Sequence, residues 1–346
     1  MQRAIGIDVG YGFVKVTDGQ ARHTFPSVVG AAAGPGVIRT RLRPAEPLHE
    51  LVIEIEGQTH YVGAMAIQEG ALAFRSLSTG RTEGNDFKVL FLTGLSLFSD
   101  KPLNSFAVVT GLPPGRMHTE KEVSAMMEGE HHVAVYRDGQ RREMAIRVDR
   151  LVVVPQPLGT FWAHALDGRG QPREDPTLLE GRVGIIDVGF RTVDLATVAA
   201  GEYVARASRT IPVGLAHAYD LIAARLGQEI GLERETYALD ESVISGEVRV
   251  NGKRIDISAI RDEALRHLAT KVLVEIQSFW QVPEFDLLLL TGGGGKLLAP
   301  YLLGQLSQLQ LMEGPVTANS RGYVNWANRL WNPQGQNWAE EHMRPA

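Results

Sequence analysis

Two segments far apart in the chain have one form: Ile5-Gly6-Ile7-Asp8-Val9-Gly10 and Ile185-Ile186-Asp187-Val188-Gly189. Each passes through apolar residues to one Asp, one Val and one Gly. A few small or polar residues and a second apolar run follow. Short apolar runs bounded by turn residues are strands. The spacing therefore predicts strand, tight turn and returning strand over 4–9 and 13–17, and again over 183–188 and 192–198. The Asp ends each strand, where its carboxylate can face a metal or water. The Gly lets the turn backbone come close to an anion. One copy opens each half of the chain, which predicts two similar domains facing each other across a phosphate.

At 346 residues the chain has room for two domains of ordinary size. Its 44% hydrophobic and 22% charged residues fit a globular protein. The net charge of −5 gives no global basic signal, so bulk charge does not support direct nucleic-acid binding. There is no cysteine, which excludes disulfides, Cys-zinc sites and iron–sulfur clusters. The first residues read as a strand and not as a signal-peptide apolar region. No apolar stretch approaches the ~20 residues that span a bilayer. A cytoplasmic protein is expected.

Further strands are expected over 52–55 and 60–62 around Gly57, over 105–110, over 131–136 and 144–148 around an Asp138-Gly139 turn, and over 151–154. A helix begins near Ala64, and residues 86–98 carry Phe87, Leu90, Phe91, Leu95 and Phe98 at helical spacing. Residues 161–166 also read as helical, and 167–180, rich in Gly, Pro and charge, as a linker or exposed loop. In the second half, helices are expected over 216–226, 233–241 and 260–280, a hairpin around Asn251-Gly252, and a buried strand over 285–290. Four glycines follow that strand, then a helix from Lys296; the tail from Tyr323 folds back as a helix. This mixture is of the α/β class. The predicted domains are 1–165, joined by the returning tail 323–346, and 166–322.

Three segments have the chemistry to hold a nucleotide. In the first, the N–H groups around Gly10, Tyr11 and Gly12 form an anion cradle, Lys15 adds a cation, and Asp8 can hold Mg2+ through water. Taken alone, it reads equally as an ordinary hairpin with a surface lysine. In the second, Asp187 repeats Asp8, and Gly189, Phe190, Arg191 and Thr192 can present donors to a terminal phosphate, while Asp194 can orient the loop. Asp187 also reads as a simple turn cap. In the third, Gly292, Gly293, Gly294, Gly295 and Lys296 leave no side chains in the way of adenine and ribose. This run is not a Walker A loop, because Leu follows Lys296, and it lacks the G-x-G-x-x-G pattern.

The order of these segments resembles the actin, Hsp70 and sugar-kinase superfamily, whose fold is an RNase H-like duplicated pair of domains with a nucleotide cleft between them. The segment from Val152 to Gly159 resembles the one that connects the two domains, and Gln156 falls where the family carries a Gln or Glu beside the attacking water. Within the superfamily, three stretches resemble the prokaryotic actin-like proteins of the plasmid-segregation (ParM/StbA, Alp) type: Val108-Val109-Thr110-Gly111-Leu112-Pro113, Asp187 to Asp194, and Ala318-Asn319-Ser320-Arg321-Gly322-Tyr323. Two positions depart from the pattern. Tyr11 stands where many relatives carry Ser or Thr, and Phe190 replaces a Gly.

The resemblance implies slow hydrolysis of ATP or GTP, with Asp8 and Asp187 on Mg2+, Lys15 on the phosphates and Gln156 orienting water. It implies the adenosine on Gly292 to Gly295, with the stem of Lys296 over the base. It further implies self-association into filaments, a DNA-binding adaptor protein as partner, and a role in plasmid segregation or intracellular positioning. Two rival readings share the fold. A small-molecule kinase needs a further catalytic Asp, and none stands out beside Asp8 and Asp187. A non-filament assembly or regulatory ATPase needs a peptide-binding groove. The dehydratase activators of this fold are excluded, since they need cluster cysteines.

Overall fold

Both Asp-bearing hairpins form, and in equivalent register. In a computed structural model, which describes residues 2–32, 47–69, 85–137, 140–234 and 239–331, β1 (Arg3–Val9) pairs antiparallel with β2 (Phe13–Thr17), setting Asp8 opposite Lys15 and Val9 opposite Val14. The chain continues through β3 (Arg22–Pro26), β4 (Val29–Ala31), β5 (Leu51–Ile55), β6 (Gln58–Val62), α1 (Ala64–Glu69) and α2 (Asn85–Ser96). Then come β7 (Leu103–Leu112), α3 (Glu120–Met127), β8 (Gly129–Arg137), β9 (Gln140–Pro155) and α4 (Leu158–Ala165). These strands form one sheet in the order β3-β2-β1-β7-β9-β8-β5-β6-β4. The buried faces of β1, β2 and β7 pack with the apolar face of α2 to make its core.

The expected strands over 144–148 and 151–154 are one strand, β9. Its pairing with β7 slips where Phe106 and Ala107 face Val148 and Arg150, so Asp149 is the extra residue of a bulge. The charged Asp149-Arg150 pair interrupts the apolar alternation without breaking the strand. The Asp138-Gly139 turn lies outside the described residues, although the strands on either side of it pair as expected.

The second unit opens with α5 (Pro176–Leu179), a single turn inside the expected linker, capped where Asp175 accepts from the Thr177 N–H. β10 (Arg182–Val188) and β11 (Val193–Ala199) then set Asp187 opposite Asp194 and Val188 opposite Val193. The rest comprises β12 (Glu202–Tyr203), β13 (Arg209–Ile211), α6 (Leu215–Ile230), α7 (Asp240–Ser245), β14 (Glu247–Val250), β15 (Lys253–Asp256), α8 (Ser258–Phe279), β16 (Leu287–Thr291), α9 (Gly292–Leu302) and β17 (Leu309–Leu311). The helix expected over 233–241 is not formed as such: 233–234 are coil, 235–238 lie outside the described residues, and α7 starts at Asp240, where its acidic first turn favours a helix N-terminus. Asn251 and Gly252 both take positive φ, as the hairpin turn between β14 and β15 requires. The main sheet runs β12-β11-β10-β16-β17.

The two units share a core order. In each, the Asp-bearing strand has its antiparallel hairpin partner on one side and two successive parallel strands on the other: β7 and β9 beside β1, β16 and β17 beside β10. This is the coarse duplication that the repeated motif predicts.

The last described helix, α10 (Ala318–Trp331), returns to the first unit, which comprises 1–174 and 317–346; the second comprises 175–316. The junctions thus fall after Glu174 and after Val316, not after Ala165 and Gly322. Residues 166–170 are tied to α10 by bonds from Asn325 to the Leu166 carbonyl, Asn328 to Gly168 and Arg329 to Gly170. The end of the tail, 332–346, lies outside the described residues. Among the described residues, no helix is long and apolar enough to cross a membrane.

α10 approaches its neighbours main chain to main chain. A Cβ on Gly322 would collide with the Gly159 carbonyl and lie 2.6 Å from the Ala163 nitrogen; one on Gly159 would lie 2.6 Å from the Asn319 carbonyl. On β1, a Cβ at Gly6 would lie 2.7 Å from the Val324 nitrogen. Trp162 and Trp326 stack at 4.4 Å with planes 4° apart, and Thr160 donates to Asn319 at 2.8 Å. Since the clashing atoms are backbone, Gly322→Ala is expected to lower unfolding free energy by about 2–3 kcal/mol in chemical denaturation. Gly227→Ala, within α6 and facing open space, is expected instead to raise it by about 0.5–1 kcal/mol.

Candidate functional site

In the first unit, three separate elements meet at Asp8. The carboxylate ends β1 and is 2% exposed. Burying a carboxylate costs several kcal/mol unless charge and hydrogen bonds compensate it. Here Lys15, its cross-strand partner on β2, places Nζ 3.2 Å from Oδ2. Gln156, from the turn between β9 and α4, donates Nε2 to Oδ1 at 2.9 Å. The sequence names all three residues, and the fold brings them together.

The turn between β1 and β2 is braced. A Cβ on Gly10 would sit 3.0 Å from Lys15 Nζ and 3.1 Å from the Phe13 carbonyl. Ser27 donates its hydroxyl to the Gly10 carbonyl at 2.6 Å, and its N–H to the Gly12 carbonyl at 2.9 Å. Arg116 reaches the Tyr11 hydroxyl at 3.5 Å. Ser27 and Arg116 were not legible as site residues. Neither lies in a loop motif, and only the folded chain sets them beside the turn.

In the second unit, Asp187 is 5% exposed and lies opposite Asp194 on β11 and Thr291 on β16. The turn closes with the Gly189 N–H on the Thr192 carbonyl at 2.8 Å. Asp194 accepts from Thr210 at 2.6 Å and from Thr192 at 3.3 Å, so it orients the turn through hydroxyls. The turn also caps α6: Leu215 and Ala216 donate their N–H groups to the carbonyls of Gly189 and Phe190 at 3.1 and 2.7 Å. The Phe190 ring is buried edge-on against Tyr219 of α6, with centroids 5.5 Å apart. Arg191 and Thr192 are half-buried.

The glycine run differs from its sequence reading. Gly292 to Gly295 are not a loop; they are the first turn of α9, which therefore starts four positions before Lys296. Gly292 takes φ +86°, and a Cβ there would collide with the Val188 carbonyl and lie 2.5 Å from Asp187 Oδ1. A Cβ on Gly294 would collide with the Val188 side chain, and one on Gly295 would press on Leu290 at 3.3 Å. Gly292 and Gly294 let α9 begin directly against the end of β10, which sets the Asp187 carboxylate beside a helix N-terminus. Only Gly293 of the four opens onto free space, and Lys296 is exposed.

Taken by itself, each acidic turn suits a magnesium–phosphate group better than a caged metal. Among the described residues, no three His, Cys, Asp or Glu side chains gather in a metal-holding group. Mg2+ takes one or two carboxylates, keeps waters and shares phosphate oxygens. Asp8 and Asp187, each a buried carboxylate at the lip of a glycine-bearing turn, are donors of that kind.

A family model described as "Actin like proteins N terminal domain" matches residues 6–159, and one described as "Archaeal actin homologue MreB-like, C-terminal" matches 185–303. No curated protein matches the chain. Among solved structures, the chain is similar to ParM in a 15-stranded filament from Clostridium botulinum, with TM-score 0.80 and 22% identity over 95% of this chain and 100% of that one. It is similar to an archaeal actin homologue in complex with ADP, with TM-score 0.75 and 22% identity over 95% and 100% of the two chains. It is also similar to Bacillus thuringiensis ParM with AMPPNP, with TM-score 0.72 and 16% identity over 95% and 99%.

The geometry of the glycine run separates its members. Gly294→Ala is expected to destabilise the second unit by about 1–3 kcal/mol, because the methyl meets Val188. Gly293→Ala, into open space on a helix, is expected to leave stability unchanged or raise it by about 0.5–1 kcal/mol. Denaturant melts of the two variants, side by side, check the contrast.

Proposed function

The chain belongs to the actin-like proteins and has their two-domain α/β fold, and from that premise we propose that it is a filament-forming actin homologue that binds and slowly hydrolyses ATP or GTP with Mg2+. The observation that carries this is the meeting of Asp8, Lys15 and Gln156 at the β1–β2 turn. A buried carboxylate, a cation and a neutral amide within reach of one glycine-lined turn are the parts that phosphoryl transfer to water needs.

Each residue takes a role that its chemistry fits. Lys15 offsets charge on the phosphoryl oxygens. The backbone of Gly10, Tyr11 and Gly12 receives one side of the phosphate chain, and that of Gly189, Phe190, Arg191 and Thr192 the other. Asp8 and Asp187 would hold Mg2+ and its waters, and the ion would supply charge neutralisation at the phosphates. Gln156 orients the attacking water; an amide is a poor base, so turnover is slow. Gly293, with open space above it, and the stem of exposed Lys296 are the places for the adenosine.

The ParM filament, the archaeal homologue with ADP and the ParM with AMPPNP support filament formation and nucleotide binding as the reading for this chain. Plasmid segregation or intracellular positioning in the cytoplasm, with a DNA-binding adaptor as partner, is the corresponding cellular role. Identical subunits joined head to tail without closure extend into a filament.

The purified chain is expected to bind ATP or GTP only with Mg2+, to release phosphate slowly, and to pellet with nucleotide on ultracentrifugation. Gln156→Ala is expected to slow phosphate release roughly 10- to 100-fold while leaving nucleotide affinity within about threefold. Lys15→Ala is expected to weaken affinity itself by roughly tenfold. Protein that stays in the supernatant at every concentration and with every nucleotide removes the filament reading; protein that binds neither nucleotide removes the whole proposal.

A further inference from the structure

We propose that Tyr323 is a positioning residue for Gln156, coupling the returning helix α10 to the water-orienting amide; this rests on the role given above to Gln156. Tyr323 is 0% exposed, and its hydroxyl donates to the Gln156 carbonyl at 2.9 Å across 167 positions of sequence. The ring reaches that carbonyl through a gap in β7. A Cβ on Gly111 would coincide with the Tyr323 hydroxyl and lie 2.8 Å from Gln156 Cα. The gap, the hydroxyl and the carbonyl therefore form one arrangement.

The Gln156 peptide is held on both sides. Its N–H donates to the Leu112 carbonyl at 2.7 Å, extending the β7–β9 pairing by one residue. Its carbonyl accepts from Tyr323 and, at 3.1 Å, from the Gly159 N–H at the start of α4. Between these anchors the side chain leaves toward Asp8, where Nε2 donates to Oδ1 at 2.9 Å. Gln156 lies in a turn, outside both β9 and α4, so the ladder-type bond on its N–H leaves its carbonyl side to need a restraint of its own. The Tyr323 bond supplies that restraint from the far end of the chain.

A packing role alone would be met by phenylalanine, which fills the same volume without a hydroxyl to desolvate. The hydroxyl is worth its burial through what it bonds, and its bonds include the backbone carbonyl of Gln156. An error of an ångström in a water-orienting group is costly in rate and nearly silent in affinity.

The test is Tyr323→Phe in the full chain, alone and combined with Gln156→Ala. The fold is expected to survive, because the ring stays and Gly159 still serves the carbonyl. Phosphate release, affinity for a non-hydrolysable ATP analogue and melting temperature are measured for each variant. The expected result is a kcat lower by about three- to tenfold, the loss of one neutral hydrogen bond at the transition state, with analogue affinity unchanged and no further slowing once Gln156 is Ala. An unchanged kcat overturns the proposal. So does an equal slowing in the Q156A background, or a fall of affinity and melting temperature in step with rate, which marks a packing role. If Q156A itself hydrolyses at the wild-type rate, the role of Gln156 falls and this one with it. If Q156A is slow and Y323F is not, only the role of Tyr323 falls.

Discussion

The close approach of α10 to β1, β7 and α4 is the constraint on which the first unit depends. Gly6, Gly111, Gly159 and Gly322 come from four different stretches, and at each a Cβ would strike another segment within 3 Å. A helix seated backbone to backbone cannot slide to relieve strain, because protein interiors are close-packed. Gly6 lies two positions before Asp8, Gly111 next to Leu112, and Gly159 three positions after Gln156. The elements that carry Asp8 and Gln156 are thus registered against one helix, and their 2.9 Å contact is a consequence of that seating. The Trp162–Trp326 stack and the Thr160–Asn319 bond fix the rotation of α10 about its axis.

The duplication is closer in backbone than in chemistry. Both hairpins place Val opposite Val next to the turn, and Asp opposite a polar residue one step earlier. In the first unit that residue is Lys15, and the pair is a salt bridge. In the second it is Asp194, whose charge is met by the hydroxyls of Thr192 and Thr210. One turn therefore carries a cation paired with its carboxylate. The other is a fixed scaffold, tied through Gly189 and Phe190 to the first turn of α6.

What the sequence made legible is what local patterning can encode. Alternating and continuous apolar runs located the strands of both hairpins, and the Asn-Gly pair located β14 and β15. Asp8, Lys15 and Gln156 were legible as a set because motif order carried them. The glycine run reads as a loop because four glycines in a row look like one, when the reason for two of them, Gly292 and Gly294, is the side and main chain of Val188, a hundred residues away. The bulge at Asp149 was invisible for a related reason: a strand that passes through two charged residues loses its periodicity but not its ladder. Ser27 and Arg116 carry no local signal, and Tyr323 is legible only as the end of the stretch from Ala318 to Tyr323; each reaches the first turn or Gln156 only through tertiary structure.

The two departures from the family pattern are absorbed on the same terms. Tyr11 replaces a small hydroxyl residue in the first turn, yet a hydroxyl is still bonded to that turn, because Ser27 donates to the Gly10 carbonyl from outside the hairpin. The Tyr11 hydroxyl in turn accepts from Arg116. Phe190 brings a ring where a glycine is expected, but the ring is spent on Tyr219 and the interior of the second unit. Its carbonyl still caps α6, and the Gly189–Thr192 closure is intact. Neither substitution alters the register of its hairpin. A tight turn presents its main-chain N–H groups whatever its side chains, so long as the carbonyls behind them stay anchored. In this chain the anchors are Ser27 for one turn and the start of α6 for the other.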